Sequence, residues 1–447
     1  MNLLLLLVGL RVWAGSPTEI MTRVFCAVAL LSLEMQLATW SGAATLRSLA
    51  MVNAVLAAAL FVLARKGGSD PLATSSPPGE AKAALAALAV LVLFLNSLLP
   101  LTAADPYHLA RTDRIHAWGT LAYDAAADPK LNVLGWLYEL ILADIRIVPI
   151  AGEWLVRLHG LGGLALFAMT VAAVLQIFGA WSRLAWMMAC VVPVVFHQYV
   201  LVKNDLFGAV PAVLMLAWVV ARLRIASSWE VAWVAWLAGI AIGMKLTSFP
   251  LALVLFGAVF IERRDLPVLG AAAGGGAVGL LAGGLLFTLV ENSRTYGSSL
   301  EPLRMLGNRN TSLREIGVSI SRFSVSLFDM GVLTRRWWPG RGGWGGTYGL
   351  PVIWALAVLL YARQRPEARR TLVVAIVYWL LFAAAYPDAD LAHRLALAPG
   401  ILVVVVAGAI ADEEAAVPRW CRAAAIPVIA LSAAQIVRSA ALYLARA

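Results

Sequence analysis

Five short stretches of this sequence hold residue types able to do acid–base or phosphate chemistry. The first is Asp105-Pro106-Tyr107-His108, followed by Arg111, Asp113 and Arg114. Asp105 and His108 stand at i and i+3, the spacing of one helix face. Asp before Pro also fits an N-cap with proline at the first helical position, and a cap at a membrane exit is a defined place to hold a catalytic carboxylate. The second stretch is Gln198-Tyr199 with Lys203-Asn204-Asp205. Its Lys and Asp read either as a snorkelling or capping pair at the lip of a bundle, or as ligand-binding groups. The third is Gly243-Met244-Lys245-Leu246-Thr247, which interrupts two apolar segments. A lysine at such a break is costly unless it meets a polar cavity or an anion. The fourth is Glu291-Asn292-Ser293-Arg294-Thr295-Tyr296-Gly297, and the fifth holds Asp388, Asp390, His393 and Arg394. In such a mix the carboxylates can take a proton from an acceptor hydroxyl and the cations can hold a phosphate, which suits a phosphorylated lipid substrate. The sequence contains no Gly-x-Ser-x-Gly, His-Glu-x-x-His, Walker loop or dinucleotide fingerprint.

The elements that must carry these groups are membrane helices. The 447 residues are 62% hydrophobic and 13% charged, with a mean hydropathy of +0.83; a soluble domain is about 25% charged. That much apolar surface needs a bilayer as solvent. The composition excludes a soluble enzyme, a disordered chain and a nucleic-acid binder. The net charge of +10 does not point to nucleic acid, because the Lys and Arg residues lie between apolar segments. Cys26, Cys190 and Cys421 sit in or beside apolar stretches and make neither a disulfide framework nor a zinc site. Seventeen tryptophans suit a protein with two membrane interfaces. Asn2–Leu10 is apolar without a preceding positive charge, and Arg11 and Trp13 follow it. This reads as a short membrane or interfacial segment rather than a cleaved signal peptide.

Apolar runs fall near 2–14, 20–40, 45–64, 84–102, 160–179, 184–202, 206–221, 229–243, 247–261, 267–289, 349–362, 371–386, 394–410 and 423–443. Several are shorter than the roughly 20 residues that span a bilayer, so the expected fold is all-α and polytopic with about 11–14 transmembrane helices. Gly275, Gly279 and Gly283 recur at four-residue spacing and predict a close-packing helix face. Six short connections carry the basic residues: Arg65, Lys66 and Lys82; Arg183; Arg222 and Arg224; Arg263 and Arg264; Arg363, Arg365, Arg369 and Arg370; Arg419 and Arg422. The positive-inside rule places them in the cytoplasm and the five chemistry-bearing stretches outside. Residues 66–80 are expected to form a flexible cytoplasmic linker. Two long outer loops, about 103–159 and 290–348, are expected to hold short helices. In the second, a capping box at Ser312 and Glu315 opens a helix that continues through Ile316, Ile320, Phe323, Leu327 and Phe328 at helical spacing. Trp118, Trp136, Leu137, Leu140 and Ile141 give the other loop similar material for the membrane surface. The predicted organisation is one transmembrane domain over 1–410, then a cytoplasmic loop and last transmembrane helix over 411–447, with no separate soluble domain.

The string Asp105-Pro106-Tyr107-His108-Leu109-Ala110-Arg111, followed by Trp118-Gly119, Asn132 and Leu137–Leu140, resembles the first extracytoplasmic loop of bacterial GT-C glycosyltransferases of the family 39 and arabinose-transferase type. Gln198 to Asp205 is similar to their second acidic motif, with Lys203 where a small polar residue is more usual. Gly243–Thr247 resembles their Gly-x-Lys-x-Thr break. Glu291-Asn292, Tyr296-Gly297 and Pro302 resemble their Asn…Tyr-Gly-x-Pro stretch, and His393-Arg394 with Pro399 their late Arg-x-x-x-Pro element. The resemblance covers about residues 84–410 and implies a sugar transferase of the bacterial inner membrane with its site on the extracytoplasmic face. The donor would be a polyprenyl-phosphate sugar, and the acceptor a cell-envelope glycan, lipid or protein. Asp105 would be the general base and Asp205 would orient a substrate. Lys203, Lys245 and Arg394 would hold the departing phosphate, with His108, Arg111, Arg294 and His393 lining the substrate site. Some relatives use a divalent cation, which would sit at Asp105 and Asp205; no other cofactor is expected. A transporter or flippase for a lipid-linked sugar is the alternative, and a non-catalytic assembly partner a third reading.

Overall fold

A computed structural model describes residues 1–64, 77–99, 106–124, 126–127, 132, 135–149, 151–200, 204–300, 312–327, 348–386, 396–413 and 417–445. Of the expected cytoplasmic linker, residues 66–76 lie outside these. All elements among the described residues are helices. The chain opens with α1 (Asn2–Gly9), α2 (Pro17–Ser41), α3 (Leu49–Ala64) and α4 (Gly79–Leu98). Three short helices follow: α5 (Pro106–Trp118), α6 (Leu137–Arg146) and α7 (Gly152–Arg157). The bundle continues with α8 (His159–Ile177), α9 (Arg183–Cys190), α10 (Pro193–Val200), α11 (Asp205–Arg222), α12 (Ser228–Met244), α13 (Pro250–Glu262), α14 (Leu266–Ala282) and α15 (Leu285–Tyr296). It closes with α16 (Leu313–Ser326), α17 (Leu350–Tyr361), α18 (Pro366–Ala385), α19 (Leu397–Asp412) and α20 (Arg419–Leu444).

The protein is an all-helical, multi-pass membrane protein. Among the described residues six helices are long and apolar enough to cross a bilayer alone: α2, α4, α8, α11 with the short 3₁₀ turn after it, α18 and α20. Two bent pairs, α9 with α10 at 55° and α14 with α15 at 59°, raise the number to eight, and five shorter apolar helices lie among them. The α9–α10 bend falls just before Pro193, which cannot donate to the preceding turn. At the other bend Gly284 takes φ +83°, and a Cβ there would run into the Trp136 indole.

Helix α12 packs most extensively on α14. The glycine face predicted from spacing makes this contact. A Cβ on Gly275 would collide with the carbonyl of Ala232, one on Gly279 with that of Trp236, and one on Gly243 would come within 2.6 Å of the Gly283 backbone. Capping boxes start α2 (Ser16 with Glu19), α12 (Ser227 with Glu230) and, as expected, α16 (Ser312 with Glu315). Helix α16 lies on α18 through Phe323, which meets Trp379 and Phe382, and leaves Leu313, Val318 and Val325 exposed.

The first long loop differs from its expected place at the membrane surface. Trp136, Leu137, Leu140 and Ile141 are buried in the main core, and only Trp118 is substantially exposed. The reason is that α6 is almost wholly covered, with every residue from Leu137 to Asp144 buried. Its last buried residue, Asp144, caps α1. Asn2 N and Asn2 Nδ2 donate to Asp144 Oδ1 at 3.0 and 2.8 Å, and Leu3 N donates to Oδ2 at 2.8 Å. A carboxylate is favourable at this end of a helix, where the amides carry the positive end of the dipole.

Candidate functional site

Lys245 and Asp205 form an ion pair between the end of α12 and the start of α11. The antiparallel path of these two helices brings the residues to one end of the bundle. Lys245 leaves the α12 helix at φ −153° and ψ 110°, ahead of a 3₁₀ turn over Leu246–Ser248. Pro250 then starts α13 from its first turn. The break predicted at Lys245 is therefore real. Asp205 is the first residue of α11, where the helix dipole favours a carboxylate. Gly208, one turn on, leaves room for the lysine: a Cβ on it would stand 3.2 Å from Lys245 Cβ. The pair is largely sealed from solvent, with side-chain exposures of 12% for Lys245 and 2% for Asp205.

A compact module of α5 and α6 sits directly on this break. A Cβ on Gly135 would lie 2.5 Å from the Gly243 carbonyl oxygen and 2.7 Å from that of Met244, so only glycine permits the contact. The next residue, Trp136, covers the Gly284 bend and meets Phe287 edge-on at 5.6 Å. Tyr138 packs on Phe207, two residues past Asp205, with ring centroids 5.0 Å apart. Leu109, Leu142 and Val156 complete that small cluster.

Inside the module Glu139 is fully buried and organises two of the predicted residues. His108 Nδ1 donates to Glu139 Oε1 at 2.6 Å, and Arg111 Nη1 lies 3.6 Å from the same oxygen. Arg111 Nη1 also donates to the Gly135 carbonyl at 2.8 Å. Burial alone would push the Glu139 carboxyl up. The Arg111 guanidinium and His108 outweigh it and hold the group below the usual glutamate range. His108 and Arg111 are themselves buried, so both face Glu139 rather than solvent.

Glu139 escaped the sequence reading. The readable signal was a carboxylate inside the run Trp136-Leu137-Tyr138-Glu139-Leu140-Ile141, where it is costly unless paired. Arg294 lies apart from this group: it is mostly exposed and pairs with Glu291 at 2.8 Å, whose Oε1 also accepts the Trp40 indole N–H at 2.9 Å. Neighbouring polar groups tie the loop to α15, with Asn132 Nδ2 donating to Tyr296 Oη at 2.6 Å and Arg114 to Asn132 Oδ1 at 2.6 Å. Asp105, Lys203, His393 and Arg394 lie outside the described residues, as do Asp388 and Asp390.

No group of three or more His, Cys, Asp or Glu side chains gathers among the described residues, and Lys245 pairs with Asp205 Oδ1; Asp105, the other expected ligand of a divalent cation, lies outside them. What the described arrangement offers is a dry cation held at a helix break beside a helix N-terminus, both features that attract an anion. No protein-family model matches the chain, and comparisons with characterised proteins and with solved structures give no match.

Proposed function

We propose that this protein is an integral-membrane glycosyltransferase of the GT-C type, transferring a sugar from a polyprenyl-phosphate donor to an acceptor on the extracytoplasmic face of a bacterial inner membrane. The observation that carries the reading is the Lys245–Asp205 pair, sealed at a helix break under the α5–α6 module. In this reading the five shorter apolar helices also cross the bilayer, and the end bearing Lys245 is the outer end.

The acceptor hydroxyl oxygen attacks the anomeric carbon of the donor, and the bond from that carbon to the phosphate oxygen breaks. The acceptor proton passes to the Asp105 carboxylate, which the sequence puts immediately before Pro106, the first residue of α5. The leaving polyprenyl phosphate keeps the bonding electron pair. Its charge is held by Lys245, with Lys203 and Arg394 as further cations. Asp205 keeps the Lys245 ammonium in place until the phosphate competes for it. His108, Arg111 and Glu139 position the module; Arg294 and His393 would contact the sugar or acceptor.

The two bent spans favour a second reading, a transporter for a lipid-linked sugar, because discontinuous helices commonly line substrate sites in transporters. Purified protein in proteoliposomes, given radiolabelled polyprenyl-phosphate sugars and a membrane acceptor extract, separates the two. Label transferred to the acceptor supports the enzyme. Donor moved across the bilayer with its sugar–phosphate bond intact would replace it with the transporter.

A further inference from the structure

A polar cavity lies at the end of the bundle away from the Lys245–Asp205 pair. Helix α11 runs from Asp205 to Arg222 and α12 from Ser228 to Met244. Arg222 and Glu230 are therefore separated from the Lys245–Asp205 pair by the length of these helices, about 25 Å at 1.5 Å per residue. A cavity of about 480 Å³ opens between these ends and the neighbouring ends of α2 and α8. Its polar wall is Glu19, Arg23, Gln176, Arg222 and Glu230, and Trp218 and Trp233 form its aromatic wall.

The charges in this wall are not equivalent. Both carboxylates serve the helix starts beside them. Glu19 Oε2 accepts the Ser16 amide at 2.8 Å, and Glu230 Oε2 accepts the amide and hydroxyl of Ser227, each at 2.8 Å. Their charge is thereby set against the positive ends of α2 and α12. The guanidinium groups are placed differently. Arg23 Nη1 is anchored by the carbonyls of Arg11 and Ala14, which fixes that cation at the cavity wall. Arg222 is exposed, within electrostatic reach of Glu230, and lines the same space. Gln176 Oε1 accepts from Thr18 N and Oγ1, both at 3.0 Å, so its amide nitrogen remains as a donor. Two guanidiniums and an amide across one cleft match the oxygens of a phosphate. The setting also suits an amphiphile, because the cavity lies where the membrane-length helices α2, α8 and α11 end, and tryptophans favour that depth.

We propose that this cavity binds a phosphate group between Arg23 and Arg222, carried by an anionic phospholipid headgroup or free in solution. The site is independent of the sugar-transfer reading and stands or falls by binding alone. The test uses the purified full chain in neutral detergent, titrated with dioctanoyl phosphatidylglycerol, with dioctanoylglycerol and with inorganic phosphate. Arg222→Gln removes one cation at an exposed position, so folding should be unchanged by thermal unfolding. Arg224→Gln is the control, because Arg224 pairs with Glu262 and does not line the cavity.

The expected result is saturable binding of phosphatidylglycerol, weakened about tenfold by Arg222→Gln, unchanged by Arg224→Gln, and lost with the phosphate-free diacylglycerol. Inorganic phosphate that displaces the lipid with the same Arg222 dependence identifies a free phosphate as the ligand; failure to displace it identifies the lipid. Diacylglycerol binding as well as phosphatidylglycerol, or Arg222→Gln and Arg224→Gln behaving alike, would overturn the proposal.

Discussion

Lys245 and Asp205 lie 40 positions apart in the sequence and meet as an ion pair because α11 and α12 run antiparallel from one end of the bundle. Removing either partner leaves a charge stranded in a nearly dry place, which typically costs about 3–5 kcal/mol. Asp205→Asn and Lys245→Met should each lower thermal stability in detergent by that order. The double variant should recover most of the loss, because no unpaired charge is left. Strictly additive losses in the cycle would show that the two groups do not interact.

Glu139 gives a pH signature. Its carboxyl is held below the usual glutamate value near 4.5 by Arg111 and His108. A carboxyl with a depressed folded pKa adds stability that is present above the unfolded value and is lost as pH falls through the folded one. Wild type should therefore lose melting temperature more steeply than Glu139→Gln as pH falls below the usual glutamate value near 4.5, since the Gln variant has no charge to lose. At pH 7 the Gln variant should be the weaker by about 3–5 kcal/mol, with Arg111 left buried beside a neutral amide. Parallel acid profiles for the two proteins would mean that Glu139 is not ionised.

Much of this architecture was legible in the sequence where local chemistry decides it. The glycine face at Gly275, Gly279 and Gly283, the capping box at Ser312, and the break at Lys245 each follow from geometry within a turn or two. The pairing of Lys245 with Asp205 was not legible, because a lysine at a helix break signals its cost and not its partner. The burial of α6 was hidden for a similar reason. Trp136, Leu140 and Ile141 read equally well as a membrane-surface face or as a core face, and only the helices that cover them decide. Asp144 capping α1 joins residues 142 positions apart, beyond any local signal.

The α12–α14 contact predicts a sharp contrast between two glycines of α14. Gly274→Ala should be silent, since nothing lies within 4 Å of its Cβ position. Gly279→Ala would force its methyl into the Trp236 carbonyl and push the helices apart. Overpacking of this kind costs about 1–3 kcal/mol, measurable as a lower melting temperature in detergent. Equal stability of the two variants would mean that α12 and α14 do not touch along this face.

The proposed orientation can be read by labelling. After Cys26, Cys190 and Cys421 are replaced, single cysteines at Trp118 and Arg224 occupy exposed positions on opposite ends of the bundle. An impermeant maleimide should label Trp118→Cys in intact cells and Arg224→Cys only after permeabilisation if, as the positive-inside rule puts them, the basic short connections lie in the cytoplasm. A cysteine at Arg394 should label with Trp118→Cys. Protection of position 394 would remove it from a cavity shared with Asp105.

Asp105→Asn tests the chemistry itself. Asn keeps the shape of the side chain and much of its capping ability, so the start of α5 should survive and the variant should fold. What Asn loses is the capacity to accept a proton. General-base catalysis is worth about 10²–10⁴ in rate, so sugar transfer should fall by that order while binding of the polyprenyl-phosphate donor persists. Lys245→Ala should act on the other quantity, weakening donor binding through loss of a charge partner for the phosphate. Its stability must be measured alongside, because Asp205 then loses its ion-pair partner. A transporter predicts no transfer by wild type and no such division between the two variants. Wild-type transfer by Asp105→Asn would instead move the base to another carboxylate, with Asp205 and Asp113 the next to replace.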